Sequence, residues 1–195
     1  MTRFPDPDAH SRLFELLREK SFFTGDFTLA SGKQSNYYID CRLTTLDPAG
    51  ACLVGAAVRQ SIQSGCARYN TTVCAIGGLT LGADPIALAT SMASHIGNDT
   101  PPLKPFVVRK EPKGHGKGKQ IEGGFREGDQ VVAIDDVITT GGSTLQAIEV
   151  IERAGGKVAF VVVLVDRQEG GRENIEKAGY PVLSLFTRDQ LLEAG

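Results

Sequence analysis

The chain has 195 residues, 41% hydrophobic and 23% charged, with a formal net charge of −2. That length and balance fit one domain able to bury roughly 70% of its unfolded surface without disulfide or metal staples. They count against a general electrostatic grip on nucleic acid, which needs a strongly basic surface. The cysteines, Cys41, Cys52, Cys66 and Cys74, form no CxxC pair and no Cys/His ligand spacing. They are expected to be reduced thiols of a cytoplasmic protein. Residues 1–8 lack the apolar core of a signal peptide. The longest apolar run, residues 158–165, falls far short of the ~20 residues that a membrane span needs, so no membrane partner is expected.

Asp8 can cap a first helix over residues 9 to about 22, with Leu13, Phe14, Leu16 and Leu17 as its apolar stripe. Residues 27–29 and 37–40 predict short strands around a turn at 31–35. Asp47-Pro48 opens a second helix to about Ser64, proline being tolerated in the first turn. From Val73 an alternation sets in. A strand at 73–76 leads through Gly77-Gly78 to a helix at 84–96, and a strand at 106–108 leads to a basic, glycine-rich segment. A strand at 131–134 leads to a helix at 145–153, stopped by Gly155-Gly156. A strand at 158–165, a short helix at 173–177 and a strand at 182–186 complete the series. Near-continuous Val/Ile/Ala strands between helices predict an α/β domain whose parallel sheet is covered on both faces. Residues 1 to about 45 break the rhythm and are expected to form a small lobe over the sheet's functional edge.

The densest chemistry lies in Asp135-Asp136-Val137-Ile138-Thr139-Thr140-Gly141-Gly142-Ser143. Parallel sheets bind ligands beyond the carboxyl ends of their strands. A Thr/Gly/Ser turn opening a helix offers free N–H groups and positive dipole to a phosphate. Two acids just before that turn would repel the phosphate, and they suit neighbouring hydroxyls or a metal's water shell instead. A phosphate beside a diol is a sugar phosphate. An ordinary helix cap accounts for one acid and poorly for both. The segment matches neither GxxxxGK[ST] nor GxGxxG.

Three further groupings fall at the same sheet edge. From Lys104 to Lys119, six Lys/Arg stand against one Glu, and five glycines fall between Gly114 and Gly124. A solvated loop is the plain alternative. Its place after a sheet strand points instead to a mobile cationic cover for a highly charged anion such as pyrophosphate. The stretch Gly77-Gly78-Leu79-Thr80-Leu81-Gly82 reads as a second anion cradle or as a routine turn. In Asp166-Arg167-Gln168-Glu169-Gly170-Gly171, Arg167 offers a planar fork to a substrate carboxylate, unless the turn is only a helix cap. Near the N-terminus, Tyr37-Tyr38-Ile39-Asp40 is either lobe packing or a wall for a planar base. His10 and His95 are expected to have no role.

Together these segments resemble the orotate phosphoribosyltransferases, a branch of the type I phosphoribosyltransferases. The run Asp135 to Ser143 is similar to the family's phosphoribosyl pyrophosphate motif. Arg109-Lys110-Glu111-Pro112-Lys113-Gly114-His115-Gly116 is similar to the catalytic loop of the orotate branch. Phe27-Thr28-Leu29-Ala30-Ser31-Gly32-Lys33 resembles its N-terminal signature, and Asp166-Arg167-Gln168 its base-contacting turn. The resemblance implies a mainly parallel sheet flanked by helices, with a small N-terminal hood in a single domain. It also implies transfer of ribose 5-phosphate from phosphoribosyl pyrophosphate to orotate, giving orotidine 5′-monophosphate and diphosphate.

By the same resemblance, Thr139, Thr140, Gly141, Gly142 and Ser143 hold the 5′-phosphate, with Val137 and Ile138 in the same motif. Asp135 and Asp136 hold the ribose hydroxyls, and Thr139 and Arg167 contact orotate. Arg109, Lys110, Lys113 and His115 engage the diphosphate. Lys113, His115, Asp135 and Asp136 are the catalytic group. Mg2+ enters on the diphosphate, with no metal ligands from the chain, and a homodimer shares its active sites. One departure stands out: a position that carries lysine in some members is Ala30 here, which leaves Lys33 as a weak substitute. A purine or uracil phosphoribosyltransferase and a non-catalytic donor sensor are the competing readings. The first leaves Arg167 without a carboxylate, and the second lacks a helix-turn-helix or a basic surface.

Overall fold

The structure, a computed structural model, describes residues 8–28, 32, 34–111 and 119–193. It opens with helix α1 (Ala9–Ser21), strands β1 (Phe22–Thr28) and β2 (Gln34–Ile39), a single-turn helix α2 (Arg42–Thr45) and helix α3 (Pro48–Arg68). Then follow β3 (Ala75–Leu79), α4 (Ala83–Ile96), β4 (Lys104–Val108), β5 (Ile121–Gly123), β6 (Gln130–Ile138) and α5 (Gly142–Arg153). The chain closes with β7 (Lys157–Asp166), α6 (Gly171–Lys177), β8 (Val182–Thr187) and α7 (Arg188–Glu193). Six strands form one sheet in the order β5-β4-β3-β6-β7-β8, parallel throughout except for the edge strand β5. β1 and β2 form a separate antiparallel hairpin.

The apolar runs alternate between two cores. Val132 and Ile134 of β6 and Phe160, Val162 and Leu164 of β7 pack with Leu13, Val54, Val58 and Ile86 of α1, α3 and α4. Val131, Ala133, Val161 and Val163 face the other way, against Ala147, Ile148 and Ile151 of α5 and Ile175 of α6. Successive strand residues point to opposite faces, so a sheet covered on both sides requires apolar residues at every position.

Several boundaries differ from the sequence expectation, each for a physical reason. β6 runs on to Ile138 rather than ending at Ile134, because β7 keeps pairing with it up to Ile138–Asp166. Asp135 and Asp136 therefore lie inside the strand. Gly77 and Gly78 are also strand residues, not the predicted turn, and they pair with Phe106 and Val107 of β4. Bare backbone is needed there. A Cβ on Gly78 would run into the Ile134 carbonyl oxygen and sit 2.9 Å from the Ala83 Cβ. The true turn is Thr80-Leu81-Gly82.

The side chain of Asp8 makes no capping hydrogen bond, whereas Asp47 caps α3 by accepting from the Ala49 and Gly50 amides. α3 continues past Ser64 to Arg68, and α2, β5 and α7 were not expected at all. His10, expected to have no role, donates from Nε2 to the Leu185 carbonyl at 3.2 Å and packs its ring on Phe186. α1 is thus docked onto β8 and built into the core, while the hairpin is what departs from it.

The close approach at Gly78 gives a direct test. Gly78→Ala should destabilise the fold by about 1–3 kcal/mol, the usual cost of forcing extra volume into a packed interior. A lowered midpoint in urea unfolding would show it, and an unchanged midpoint would mean that the strands can part without cost.

Candidate active site

The carboxyl end of the sheet opens into a cavity of about 370 Å³. Its floor comes from β6 and the turn after it, through Asp135, Asp136, Val137, Thr139 and Ser143. One wall is the β3–α4 turn, Leu79 to Gly82, and the opposite side carries Arg167 from the end of β7. Tyr38 and Ile39 of the hairpin, with Asp40, Cys41 and Arg42 after it, form another wall, and Lys110 enters beyond β4.

Burial governs the carboxylate pair. Asp135 is only 7% exposed. Burial first, and then repulsion from Asp136, push its carboxyl up to about 7. Asp136 is raised too, again chiefly by burial, with the Arg42 charge pulling the other way. Their oxygens are satisfied locally. Thr144 Oγ1 donates to Asp135 Oδ2 at 2.8 Å, the Asp136 amide to Asp135 Oδ1 at 3.0 Å, and the Val137 amide to Asp136 Oδ1 at 2.9 Å. The β3–α4 turn closes on them so tightly that a Cβ on Gly82 would lie 2.5 Å from Asp136 Oδ1.

The turn into α5 has the form of an anion cradle. Gly141 takes φ +80°, where a side chain would be strained, and a Cβ there would also meet the Gly171 carbonyl oxygen at 2.8 Å. The 12-residue helix α5 begins at Gly142 with no side chain capping its first amides, which leaves them available to a ligand. Asn174 fastens the turn from behind by donating to the Thr140 carbonyl at 3.0 Å.

Of the residues singled out from sequence, Lys110, Asp135, Asp136, Val137, Thr139, Ser143 and Arg167 meet at this cavity. Thr140, Gly141 and Gly142 shape the same turn without lining the cavity. The side chain of Ile138 does not reach the site: it is 1% exposed in the core shared with α5. Arg109 holds the root of the cationic segment, its amide donating to the Gln120 carbonyl at 2.9 Å. Lys113, His115, Lys33 and Ala30 lie outside the described residues.

The aromatic pair divides. Tyr37 is buried, while Tyr38 is 39% exposed and lines the cavity. Arg42 escaped the sequence reading. Its Nε and Nη2 donate to the two oxygens of Asp40, each at 2.8 Å. That pairing holds the Asp40 carboxyl below its ordinary range. The Asp-x-Arg spacing was the one available signal. Leu81 and Gly82 were within the weak second cradle, but their closeness to the acids depends on contacts between distant strands.

The raised carboxyl carries a pH consequence. Asp135 titrates near 3.8 when unfolded and near 7 when folded. Its contribution to stability is therefore complete below pH 4 and is lost as pH rises through about 7. Asp135→Asn keeps an acceptor for Thr144 and cannot ionise. It should stabilise the free protein at pH 8 by up to about 4 kcal/mol, and hardly at all at pH 4. Urea unfolding at the two pH values tests this, and a gain that is equal at both would contradict it.

Comparison with known proteins agrees with this geometry. Residues 48–184 match the family model described as a phosphoribosyl transferase domain. The orotate phosphoribosyltransferase of Aquifex aeolicus is 47% identical over 184 residues, covering 93% of this chain and 96% of that one. The enzyme of that name from Rhodopirellula baltica is 44% identical over 182 residues, covering 93% of each chain. Among solved structures, the orotate phosphoribosyltransferase of Mycobacterium tuberculosis H37Rv in complex with Fe(III) dicitrate superposes with a TM-score of 0.81 at 37% identity. It covers 94% of this chain and 98% of that one. The same enzyme in complex with 5-phospho-alpha-D-ribosyl 1-diphosphate gives 0.77 at 34% identity, with the same coverage. With this cavity at the end of this sheet and these relatives along nearly its whole length, the chain belongs to the phosphoribosyltransferase family, in its orotate phosphoribosyltransferase branch.

Proposed function

We propose that the protein transfers ribose 5-phosphate from 5-phospho-alpha-D-ribose 1-diphosphate to N1 of orotate, releasing diphosphate and orotidine 5′-monophosphate for pyrimidine nucleotide synthesis. The observation that carries this reading is the meeting, in one cavity, of a buried carboxylate pair, an open helix N-terminus and the Arg167 guanidinium. The amides at the start of α5, with Thr139 and Ser143, take the 5′-phosphate. Asp135 and Asp136 accept from the ribose hydroxyls, and Arg167 takes the orotate carboxylate while Tyr38 and Ile39 flank the base. Arg109, Lys110, Lys113 and His115 are the residues assigned to engage the diphosphate. A purine or uracil substrate would bring no carboxylate to the part of the Arg167 guanidinium that reaches the cavity.

The reaction breaks the bond from the anomeric carbon to the diphosphate oxygen and forms one from that carbon to N1, whose proton goes to solvent. Positive charge grows on the ribose as negative charge grows on the diphosphate. Fixed cations aimed at the leaving group stabilise that separation. The buried acids sit on the ribose side, where negative charge is favourable. Exclusion of water protects the donor from hydrolysis.

Among the described residues, no three His, Cys, Asp or Glu side chains gather into a metal cage. The Asp135 and Asp136 carboxylates at the cavity suit the water shell of a magnesium ion carried on phosphates rather than the ion itself. Bound through the diphosphate, magnesium would neutralise charge on the leaving group.

The surface beside the site supports a homodimer. Leu46 and Leu81 are 70% and 68% exposed, and Leu43, Leu88, Met92 and Ile96 are exposed as well. Leu43, Leu46, Leu81 and Leu88 line an apolar depression that shares Asp40, Arg42 and Leu81 with the active cavity. Apolar area of that kind, continuous with the site, is covered by a second copy, which brings its own cationic segment over the neighbouring cavity. No helix among the described residues is long and apolar enough to cross a membrane. Four free cysteines, Cys52 among them exposed, fit a reducing cytoplasm.

Orotate should be consumed with the donor and magnesium, and adenine, hypoxanthine and uracil should not. Lys113→Ala should lower the rate about 100-fold or more with little change in melting temperature, since the role proposed for it is electrostatic stabilisation of the leaving group. Turnover of uracil in place of orotate would overturn the assignment of the base. Leu88→Glu with Met92→Glu should yield monomers by sedimentation and lose activity. Mixing Lys113→Ala with an Asp135→Ala, Asp136→Ala variant should restore activity through hybrid dimers. No rescue would mean that each subunit acts alone.

A further inference from the structure

Arg167 reaches the cavity with one edge of its guanidinium already engaged. Its Nε and Nη2 each donate to Tyr37 Oη at 3.2 Å. Nη2 also lies 2.9 Å from Glu169 Oε1, and Tyr37 Oη donates to that same oxygen at 3.0 Å. All of these contacts use Nε and Nη2, and none uses Nη1. The Tyr37 ring adds a cation–π contact, its centroid 5.1 Å from the guanidinium carbon. Tyr37 is 6% exposed, and the Arg167 side chain 13%.

Neither Tyr37 nor Glu169 lines the substrate cavity. They face a separate depression that shares only Arg167 with it. The turn after β7 is shaped to put Glu169 there. Asp166 Oδ1 accepts from the Gln168 amide at 2.7 Å, Gln168 takes φ +56°, and Gly170 takes φ +90°. The chain thereby folds Glu169 back over a residue two positions earlier. An arginine fork has many rotamers, and its value to a planar carboxylate depends on which edge it presents. A carboxylate and a hydroxyl that clamp one edge leave the Nη1 side to meet a ligand in a fixed orientation, so less freedom is lost on binding.

We propose that Glu169, acting with Tyr37, is a positioning residue for the acidic base: it locks the Arg167 fork so that its Nη1 side is presented to the substrate carboxylate. This rests on the reading of the site as one for orotate. The rival arrangement is an internal carboxylate that competes for Arg167 and must be displaced. The two predict opposite signs, since a clamp tightens substrate binding and a competitor weakens it.

Initial rates of the full chain with orotate and donor decide between them. Glu169→Ala should raise KM for orotate about tenfold, the equivalent of one charge-assisted hydrogen bond, and leave KM for the donor and the melting temperature unchanged. Glu169→Gln keeps an acceptor oxygen for Tyr37 and Arg167 and should recover most of the loss. In an Arg167→Ala background, Glu169→Ala should add no further effect, because the fork it holds is gone. An unchanged or lowered KM for orotate in Glu169→Ala would overturn the proposal in favour of competition. Equal losses for orotate and donor, or a fall in melting temperature, would overturn it in favour of a general structural role. A parent chain that neither binds nor consumes orotate would remove the underlying reading together with the proposal, whereas the other failures all arise in variants of an active parent.

Discussion

Two neighbouring carboxylates sunk into the end of a central strand are the constraint around which the carboxyl edge of the sheet is built. Burying like charges side by side is costly unless their oxygens find donors and their ionisation is restrained. The backbone amides of Asp136 and Val137, the Thr144 hydroxyl and the Arg42 charge supply those donors and that restraint. Two of them come from other elements. Thr144 ties the pair to α5 and Arg42 ties it to the hairpin's exit, while the absence of a side chain at Gly82 lets the β3–α4 turn close above it. The acids thus end at an open cavity with their oxygens already partnered inside the fold.

The charges are sorted by position. Acids occupy the floor, where a ribose would develop positive charge. The cations Lys110 and Arg167 approach from the ends of β4 and β7, on either side of the floor. The open amides of α5 add partial positive charge with no side chain to displace. Three different chemical devices suited to anions therefore meet at one edge: backbone dipoles, an ammonium group and a guanidinium fork held along one side.

Much of this was legible in the sequence because its signals are local. The β6–α5 segment announced itself through residue types within a single strand, turn and helix, and the doubly covered sheet through uninterrupted Val and Ile. What escaped was set by contacts between distant segments. Gly77 and Gly78 look like turn residues, and only the closeness of the Phe106 and Ile134 backbones shows why a strand needs glycine there. Arg42 lies in no motif, and its role emerges when α2 is seen beside β6. His10 looked idle because its partner, the Leu185 carbonyl, is 175 positions away. Arg167 was read as an open fork, since nothing in the sequence shows that Tyr37 reaches it across 130 positions.

The antiparallel edge strand has a consequence for how such a protein can change over time. β5 returns beside β4, and the Arg109 amide bonds to the Gln120 carbonyl, so the cationic segment leaves and re-enters the sheet at adjacent points. Gln120 and Gln146 further fasten the backbone at Lys110. Lengthening a loop whose ends are already joined costs little extra closure entropy, roughly 0.6 kcal/mol per doubling of its length. The two described ends of the segment are thus held by the sheet itself, so a change of length between them has no need to disturb the register of β4 and β5.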